Sequence, residues 1–213
     1  MSSIEDFLTG YDLAIKNAKS LLNIANKSAE EKEFGIACSL NILSAEESIK
    51  AVFLLIKHYF SNPELSDFDK IFKDHKIKHK NLKPFIEILV KHITDITKMY
   101  MVFLEAEQYG RTFLKANRQE ELDKEFSDLH YHGKRIYELH KSEISIEKAI
   151  AWLESANDSK NNGFYVGFIG NKWQAPTQFE STKFEEEKIY SALIIQYVIE
   201  FEELLKLTFR SKE

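Results

Sequence analysis

The chain has 213 residues, of which 44% are hydrophobic and 30% charged, with only seven Gly and three Pro. This composition favours one domain of long helices, spanning 1–213, over a turn-rich β fold. The net charge of −5 argues against a protein that coats nucleic acid with its whole surface, although it allows a local basic site. The single cysteine, Cys38, excludes an intrachain disulfide and favours a reducing compartment. Neither a leader peptide nor an apolar stretch of about 18 residues is visible, so we expect a cytoplasmic protein without a membrane span.

The first third of the chain predicts two long helices. The first covers about 3–25, and its apolar residues share one face. Ser28 and Glu31 have the spacing of a capping box, which predicts the start of the second helix. That helix continues to about residue 60, where Asn62-Pro63 ends it.

The rest of the chain predicts further helices, and their antiparallel packing into an all-α bundle is the expected architecture. A short irregular or extended aromatic segment near 163–176 interrupts them. The other predicted elements are an amphipathic piece at 67–75, a helix from Pro84 to about Phe103, a loosely helical region at 117–143, a helix from Ser145 to about Asn157, a loop at 158–163 and a last helix capped by Thr182-x-x-Glu185.

The second helix carries a charge cluster inside an apolar sequence. Glu46 and Glu47 are adjacent, and Lys50 follows at a spacing that allows pairing on one side of the helix. Charges in such a position need partners, and functional sites are often built in this way. A purely structural cluster is the alternative. Cys38 lies in the apolar run before the cluster and is most simply a small core residue.

A basic segment at 70–83 holds six lysines and two histidines, offset by one aspartate. It predicts a local anion site, because lysine neutralises phosphate and histidine can move a proton near pH 7. A solvated connection between helices is the alternative. His75 and His79 could also join Glu46 or Glu47 in a metal site, but the metal-binding motifs His-Glu-x-x-His and repeated Glu-x-x-His are missing, so we predict neither metal nor cofactor. The lysines expected to contact the phosphate are Lys73, Lys76, Lys78 and Lys80.

Arg135 and His140 form a third candidate site, with four residues between them. The pairing is chemically sensible, because arginine can hold a phosphate while histidine moves the proton of a ribose 2′-hydroxyl. The spacing alone arises readily by chance. No glycine-rich phosphate loop, serine nucleophile elbow or Cys-His pair is present.

Four motifs occur in order across roughly residues 30–200. They are Ala37-x-x-Leu40-x-Ile42-Leu43-x-Ala45-Glu46-Glu47-x-x-Lys50, Phe72-x-x-His75-x-x-Lys78, Gly163-Phe164-Tyr165-Val166 and Trp173-x-x-Pro176. Together they resemble the AbiV family of bacterial abortive-infection proteins, which have a HEPN-type helical fold.

The resemblance implies phage defence by arrest of protein synthesis. HEPN proteins are commonly dimeric and often cleave RNA without a metal, through an Arg-x4–6-His motif at the dimer interface. Arg135 and His140 match only this general pattern, and Ile136 stands where a polar residue is usual. The positions that carry over from the AbiV-like motifs are Glu46, Glu47, Lys50, His75 and Lys78.

Two functions follow as hypotheses. In the first, the protein is an antiphage effector and possible endoribonuclease, triggered by a phage product. The basic segment binds RNA phosphate, Glu46, Glu47 and Lys50 orient the reacting groups, and a histidine acts as acid or base. The candidate histidines are His75, His79 and His140. In the second, it blocks translation without catalysis by occupying RNA, the ribosome or a phage protein. Both include a homodimer, because the apolar residues of the last helix extend beyond one narrow stripe.

Overall fold

The structure, a computed structural model, describes residues 4–59, 127–128, 131–136, 138–139 and 146–210. These residues are mostly helical, which confirms the predicted all-α class. Short stretches within 127–139 are helical too, in agreement with the loosely helical region expected there. The elements are α1 (Ile4–Glu30), α2 (Phe34–Tyr59), α3 (Ile146–Ser155), α4 (Asn157–Phe164), β1 (Gly167–Ile169), β2 (Lys172–Gln174), a 3₁₀ turn (Pro176–Gln178) and α5 (Ser181–Arg210).

The predicted capping box at 28–31 does not begin a helix, because α1 continues to Glu30. The chain reverses at Lys32, whose φ of 64° lies in the left-handed region. The amides of Lys32 and Glu33 donate to the carbonyl oxygens of Ala29 and Ser28, each at 2.9 Å. This is the Schellman pattern of a helix C-terminus, and it returns the chain directly into α2.

Helices α1 and α2 pack antiparallel, as expected for neighbours joined by a short turn. Gly10 of α1 lies against Leu54 of α2. Further along the pair, the Ser44 hydroxyl of α2 donates to the carbonyl oxygen of Ala18, at 2.7 Å. Most of α2 is buried, because α1, α4 and α5 all contact it.

Helices α2 and α5 run parallel to each other. The rings of Phe34 and Phe184 are 6.4 Å apart at the start of both helices, and those of Tyr59 and Phe209 are 5.1 Å apart near their ends. A short turn would force two helices to run antiparallel. The connection between α2 and α5 is long and therefore allows them to run parallel. Two parallel helices are therefore at the centre of the described fold.

The breadth of the apolar surface on α5 is explained within one chain. Its sequence suggested burial by a partner subunit, yet α1, α2 and α3 all contact this helix. Tyr197, Val198 and Phe201 are fully buried, and Ile189 is the one large apolar residue of the helix's described side chains that is exposed. The breadth of this apolar surface therefore does not support a homodimer, and the homodimer stays a prediction.

The segment 158–163, expected to be a loop, is helical and belongs to α4. Helix α3 ends at Ser155, close to the predicted end near Asn157. Helix α5 begins at Ser181, so Thr182 lies inside its first turn and does not cap it.

The aromatic segment forms a β-hairpin, one of the two conformations expected for it. Strands β1 and β2 pair antiparallel, with Ile169 opposite Lys172 and Phe168 opposite Trp173. Gly170 and Asn171 form the two-residue turn, with φ values of 56° and 62°. Positive φ at both turn positions is the requirement of a type I′ hairpin, which Gly and Asn meet at little cost.

Candidate functional site

The charge cluster of α2 divides between two ion pairs. Lys50 pairs with Glu47 one turn before it, as the spacing predicted. Glu46 has a different partner: its Oε1 lies 2.6 Å from Nζ of Lys160, on α4. The Lys160 and Glu46 side chains are 8% and 4% exposed, so this pair is buried. A buried charge that has lost its partner is expensive, so the pair fixes α4 against α2.

Helix α4 approaches α2 closely enough to require glycine. A Cβ atom at Gly163 would collide with the Ser39 hydroxyl and the Gly35 carbonyl oxygen. The Ser39 hydroxyl itself lies 2.7 Å from the carbonyl oxygen of Lys160, to which it can donate. These contacts and the Glu46–Lys160 pair explain why a sequence of weak helix formers is helical here.

A second buried carboxylate organises a cluster on α5. Glu200 is only 4% exposed, and three donors surround it. Nε of Arg135 lies 2.7 Å from its Oε1, Nδ1 of His132 lies 2.8 Å from its Oε2, and Nε2 of Gln196 donates to Oε1 at 2.6 Å. We call these residues, together with Tyr131, the Glu200 cluster. It joins α5 to the helical segment 131–136.

Arg135 is held in place yet accessible. Its side chain is 40% exposed, and its Nη1 donates to the Tyr131 hydroxyl at 3.0 Å. The guanidinium also lies 5.7 Å from the centre of the Tyr131 ring. The hydrogen bond to Tyr131 and then the charge of Glu200 raise the pKa of Arg135. The side chain is thus a permanent cation at the surface with a defined orientation.

A third buried carboxylate, Glu187, lies on the same helix nearer its start. Its Oε1 lies 3.2 Å from the Ser159 hydroxyl and 3.9 Å from Nζ of Lys183. Burial raises the pKa of Glu187 and of the neighbouring Cys38 thiol, whose pKa the Glu187 charge raises further. Cys38 is fully buried and is therefore an inert core residue, as predicted. Glu187 lines a pocket of about 460 Å³ with Trp152, Ser155, Ala156, Ser159, Thr182, Lys183 and Glu186.

The hairpin presents an exposed aromatic surface. Tyr165, Val166, Phe168 and Trp173 are 68%, 62%, 58% and 70% exposed. The Phe168 and Trp173 rings contact each other across the strands, with centroids 5.0 Å apart. Large apolar side chains grouped in this way mark interaction sites more often than single exposed ones do.

The sequence model of the AbiV family of HEPN proteins matches residues 6–195. The chain belongs to this family. No curated protein and no solved structure matches it. Among the described helices, none is long and apolar enough to cross a membrane. The match includes Glu46, Arg135 and Lys160 and ends shortly before Glu200.

The structure of this AbiV-family protein describes four of the predicted site residues. Glu46, Glu47 and Lys50 lie together on α2, whereas Arg135 belongs to the Glu200 cluster. The other predicted residues lie outside the described ranges: His75, His79, His140, Lys73, Lys76, Lys78 and Lys80.

Sequence reasoning missed His132, Lys160 and Glu200. A signal existed for Glu200, because it shares a helix face with Tyr197 and Leu204, which are both buried. A charge on an apolar stripe needs a partner, which is the argument that drew attention to Glu46. No comparable signal marks His132, since its partner is 68 residues away.

Proposed function

We propose that this AbiV-family protein is an antiphage effector that cleaves RNA without a metal and thereby stops protein synthesis in infected cells. Membership of the family indicates an abortive-infection function of HEPN type. One observation supports the cleavage step most directly. Arg135 keeps its guanidinium at the surface because the buried Glu200 carboxylate fixes its Nε.

The chemistry needs few groups. The ribose 2′-oxygen attacks the adjacent phosphorus, the bond from phosphorus to the 5′-oxygen breaks, and a 2′,3′-cyclic phosphate and a 5′-hydroxyl result. A side-chain base accepts the 2′-hydroxyl proton. Arg135 provides donors for the phosphoryl oxygens as negative charge develops on them. Since the nucleophile belongs to the RNA, the reaction does not require a metal-bound water.

The charges of α2 have separate roles in this proposal. Glu46 is buried against Lys160, so we assign it to the positioning of α4 and the hairpin that follows. The Glu47 and Lys50 side chains are each 18% exposed, so they are polar groups of α2 that RNA could reach. The predicted basic residues, Lys73, Lys76, Lys78 and Lys80, would contribute phosphate contacts that weaken with salt.

The test is incubation of the purified protein with total cellular RNA in the presence of EDTA, with and without lysate of phage-infected cells. We expect fragments that end in a cyclic phosphate. Arg135→Ala should lower the rate about 10²–10³-fold, the range for loss of one transition-state donor. Lys134→Ala is the matched control, because Lys134 is its neighbour and 61% exposed. Intact RNA under every condition would reject the proposal.

The alternative function, translation block by binding alone, is favoured by one observation, the exposed aromatic surface of the hairpin. A phage-encoded activator or a ribosomal component could dock there without any chemistry. The two functions separate in infected cells. Cleavage requires Arg135 for defence, whereas a binding protein would retain defence in Arg135→Ala and lose it in Trp173→Ala.

A homodimer is part of the proposal because HEPN domains commonly dimerise. The dimer would bring two copies of Arg135 to one RNA surface if the helical segment 131–136 lies near the symmetry axis. Light scattering at micromolar concentration should give twice the chain's mass of 24.9 kDa. A monomer mass for the active protein would remove this part of the proposal.

A further inference from the structure

We propose that His132 is the base that accepts the 2′-hydroxyl proton and that Glu200 is the residue that positions it. The assignment rests on the proposed ribonuclease function and names a histidine outside the Arg135–His140 spacing. It comes from one geometric fact: the two oxygens of the Glu200 carboxylate hold His132 and Arg135 at the same time.

The hydrogen bond from His132 defines which ring nitrogen is available. Glu200 accepts hydrogen bonds from Arg135 and Gln196, so it acts here as a carboxylate acceptor. Nδ1 of His132 therefore carries the proton that it donates to Oε2, at 2.8 Å. In the neutral ring this leaves the lone pair on Nε2, which no other described residue contacts through a hydrogen bond. A carboxylate that orients a histidine in this way also stabilises the imidazolium that forms on proton transfer.

The position of the ring suits contact with a substrate. The His132 side chain is 19% exposed, while the side chain of Glu200, which it contacts, is only 6% exposed. The rings of His132 and Tyr131 form a T-shaped contact, with centroids 5.0 Å apart and planes at 85°. The imidazole is thus held by the part-buried hydrogen bond at Nδ1 and by the Tyr131 ring, and part of its surface stays exposed.

The shared carboxylate also fixes the base relative to the phosphate-binding group. Arg135 follows His132 by three residues in the helical segment 131–136, which places both on one side of a helix. Glu200 contacts Arg135 through Oε1, at 2.7 Å, and His132 through Oε2, at 2.8 Å. Two groups tied to one carboxylate in this way supply the orientation that in-line attack requires.

Each proton of the reaction has a donor and an acceptor. Nε2 of His132 accepts the proton of the 2′-hydroxyl as the bond from the 2′-oxygen to phosphorus forms. The 5′-oxygen that leaves takes a proton from water. The imidazolium then returns its proton to solvent, which regenerates the neutral ring. Arg135 stays charged throughout and donates hydrogen bonds to the phosphoryl oxygens.

The decisive experiment measures steady-state cleavage of a defined RNA by the full chain and by four variants. His132→Ala should lower kcat about 10²–10⁴-fold with little change in KM, and free imidazole should restore part of the rate. Lys134→Ala should keep the wild-type rate. Glu200→Gln should lower kcat about 10–100-fold, in line with other residues that orient a functional histidine. The fourth variant, His140→Ala, compares the other candidate histidine under the same conditions.

A fifth variant, Glu200→Asp, distinguishes positioning by Glu200 from a structural role. Glu200→Gln keeps the size of the side chain and removes the carboxylate, whereas Glu200→Asp keeps the carboxylate and shortens the side chain. If the carboxylate positions His132 through the contact of 2.8 Å, Glu200→Asp should keep more of the wild-type kcat than Glu200→Gln. A purely structural role would reverse this order, because Gln fills the buried site better than Asp.

Two failures are distinguishable. If the wild-type chain cleaves no RNA, the proposed function fails and the His132 assignment with it. If the wild type cleaves RNA and His132→Ala cleaves it equally well, only the assignment fails. Cleavage that is lost in His140→Ala and retained in His132→Ala overturns it in favour of His140. Circular dichroism and thermal melts verify that each variant is folded.

Discussion

Replacement of Lys160 by Met tests the central packing of the fold. The substitution keeps the length of the side chain and removes its charge, so the buried Glu46 carboxylate loses the ammonium group that pairs with it. Both residues are buried, so solvent screens the loss of the pair very little. The Ser39 hydrogen bond survives, because its acceptor is the backbone carbonyl of Lys160.

The expected loss follows from the burial of the pair. Removing one member of a buried ion pair typically costs about 3–5 kcal/mol. A chain of this size loses roughly 2–4 °C in Tm for each kcal/mol, so Tm should fall by about 6–20 °C. The double variant Glu46→Met, Lys160→Met removes both charges together and should recover most of that loss, since an apolar pair of similar volume is often neutral.

The assay is chemical denaturation followed by circular dichroism, with thermal melts in parallel. Lys50→Met is the matched control, because the Glu47–Lys50 pair is closer to the surface at 18% exposure and should contribute about 1 kcal/mol or less. A Lys160→Met variant within about 1 kcal/mol of wild type would refute the reasoning. A double variant less stable than both single variants would refute it too.

Three further predictions concern other parts of the site. Burial raises the pKa of Glu187, so its charged form destabilises the fold as pH rises above the unfolded pKa of about 4.3. Glu187→Gln should therefore raise Tm at pH 7 and leave Tm unchanged well below about pH 4.3. A rise in Tm that is independent of pH would contradict this cause. Gly163→Ala should cost about 1–3 kcal/mol by overpacking, because the added methyl meets Ser39 and Gly35; an unchanged denaturation midpoint would show that the contact relaxes. Trp173→Ala should leave Tm within about 1 °C of the wild-type value, since the side chain is 70% exposed. The same variant should give weaker defence in a plaque assay. Full defence would show that the hairpin is not a contact surface for a partner.

The long helices could be predicted from sequence because their apolar residues repeat at helical spacing. Helix α4 could not. Its sequence, Asn-Asp-Ser-Lys-Asn-Asn-Gly-Phe, contains residues that favour turns, and local propensity gives no reason for a helix. Contacts that are distant in sequence decide the outcome: Lys160 pairs with a glutamate 114 residues away.

The candidate site, too, contains residues that the sequence could indicate and residues that it could not. Glu46 was identified because a charge inside an apolar helix is unusual whatever its partner. Arg135 was identified through a spacing to His140, but its orientation depends on Glu200, a contact that no local pattern indicates. His132 was one histidine among seven until the fold placed its Nδ1 beside the Glu200 carboxylate.

Buried carboxylates account for how the parallel helices α2 and α5 position the functional surface. Glu46 of α2 binds Lys160 and so determines where α4 and the following hairpin lie. Glu200 of α5 binds His132 and Arg135 and so orients the proposed catalytic groups. A buried ion pair contributes little net stability, but removal of one partner strongly destabilises the fold. The surface groups are therefore held in one arrangement by the core, which is the condition that proton transfer and phosphate binding at a shared site require.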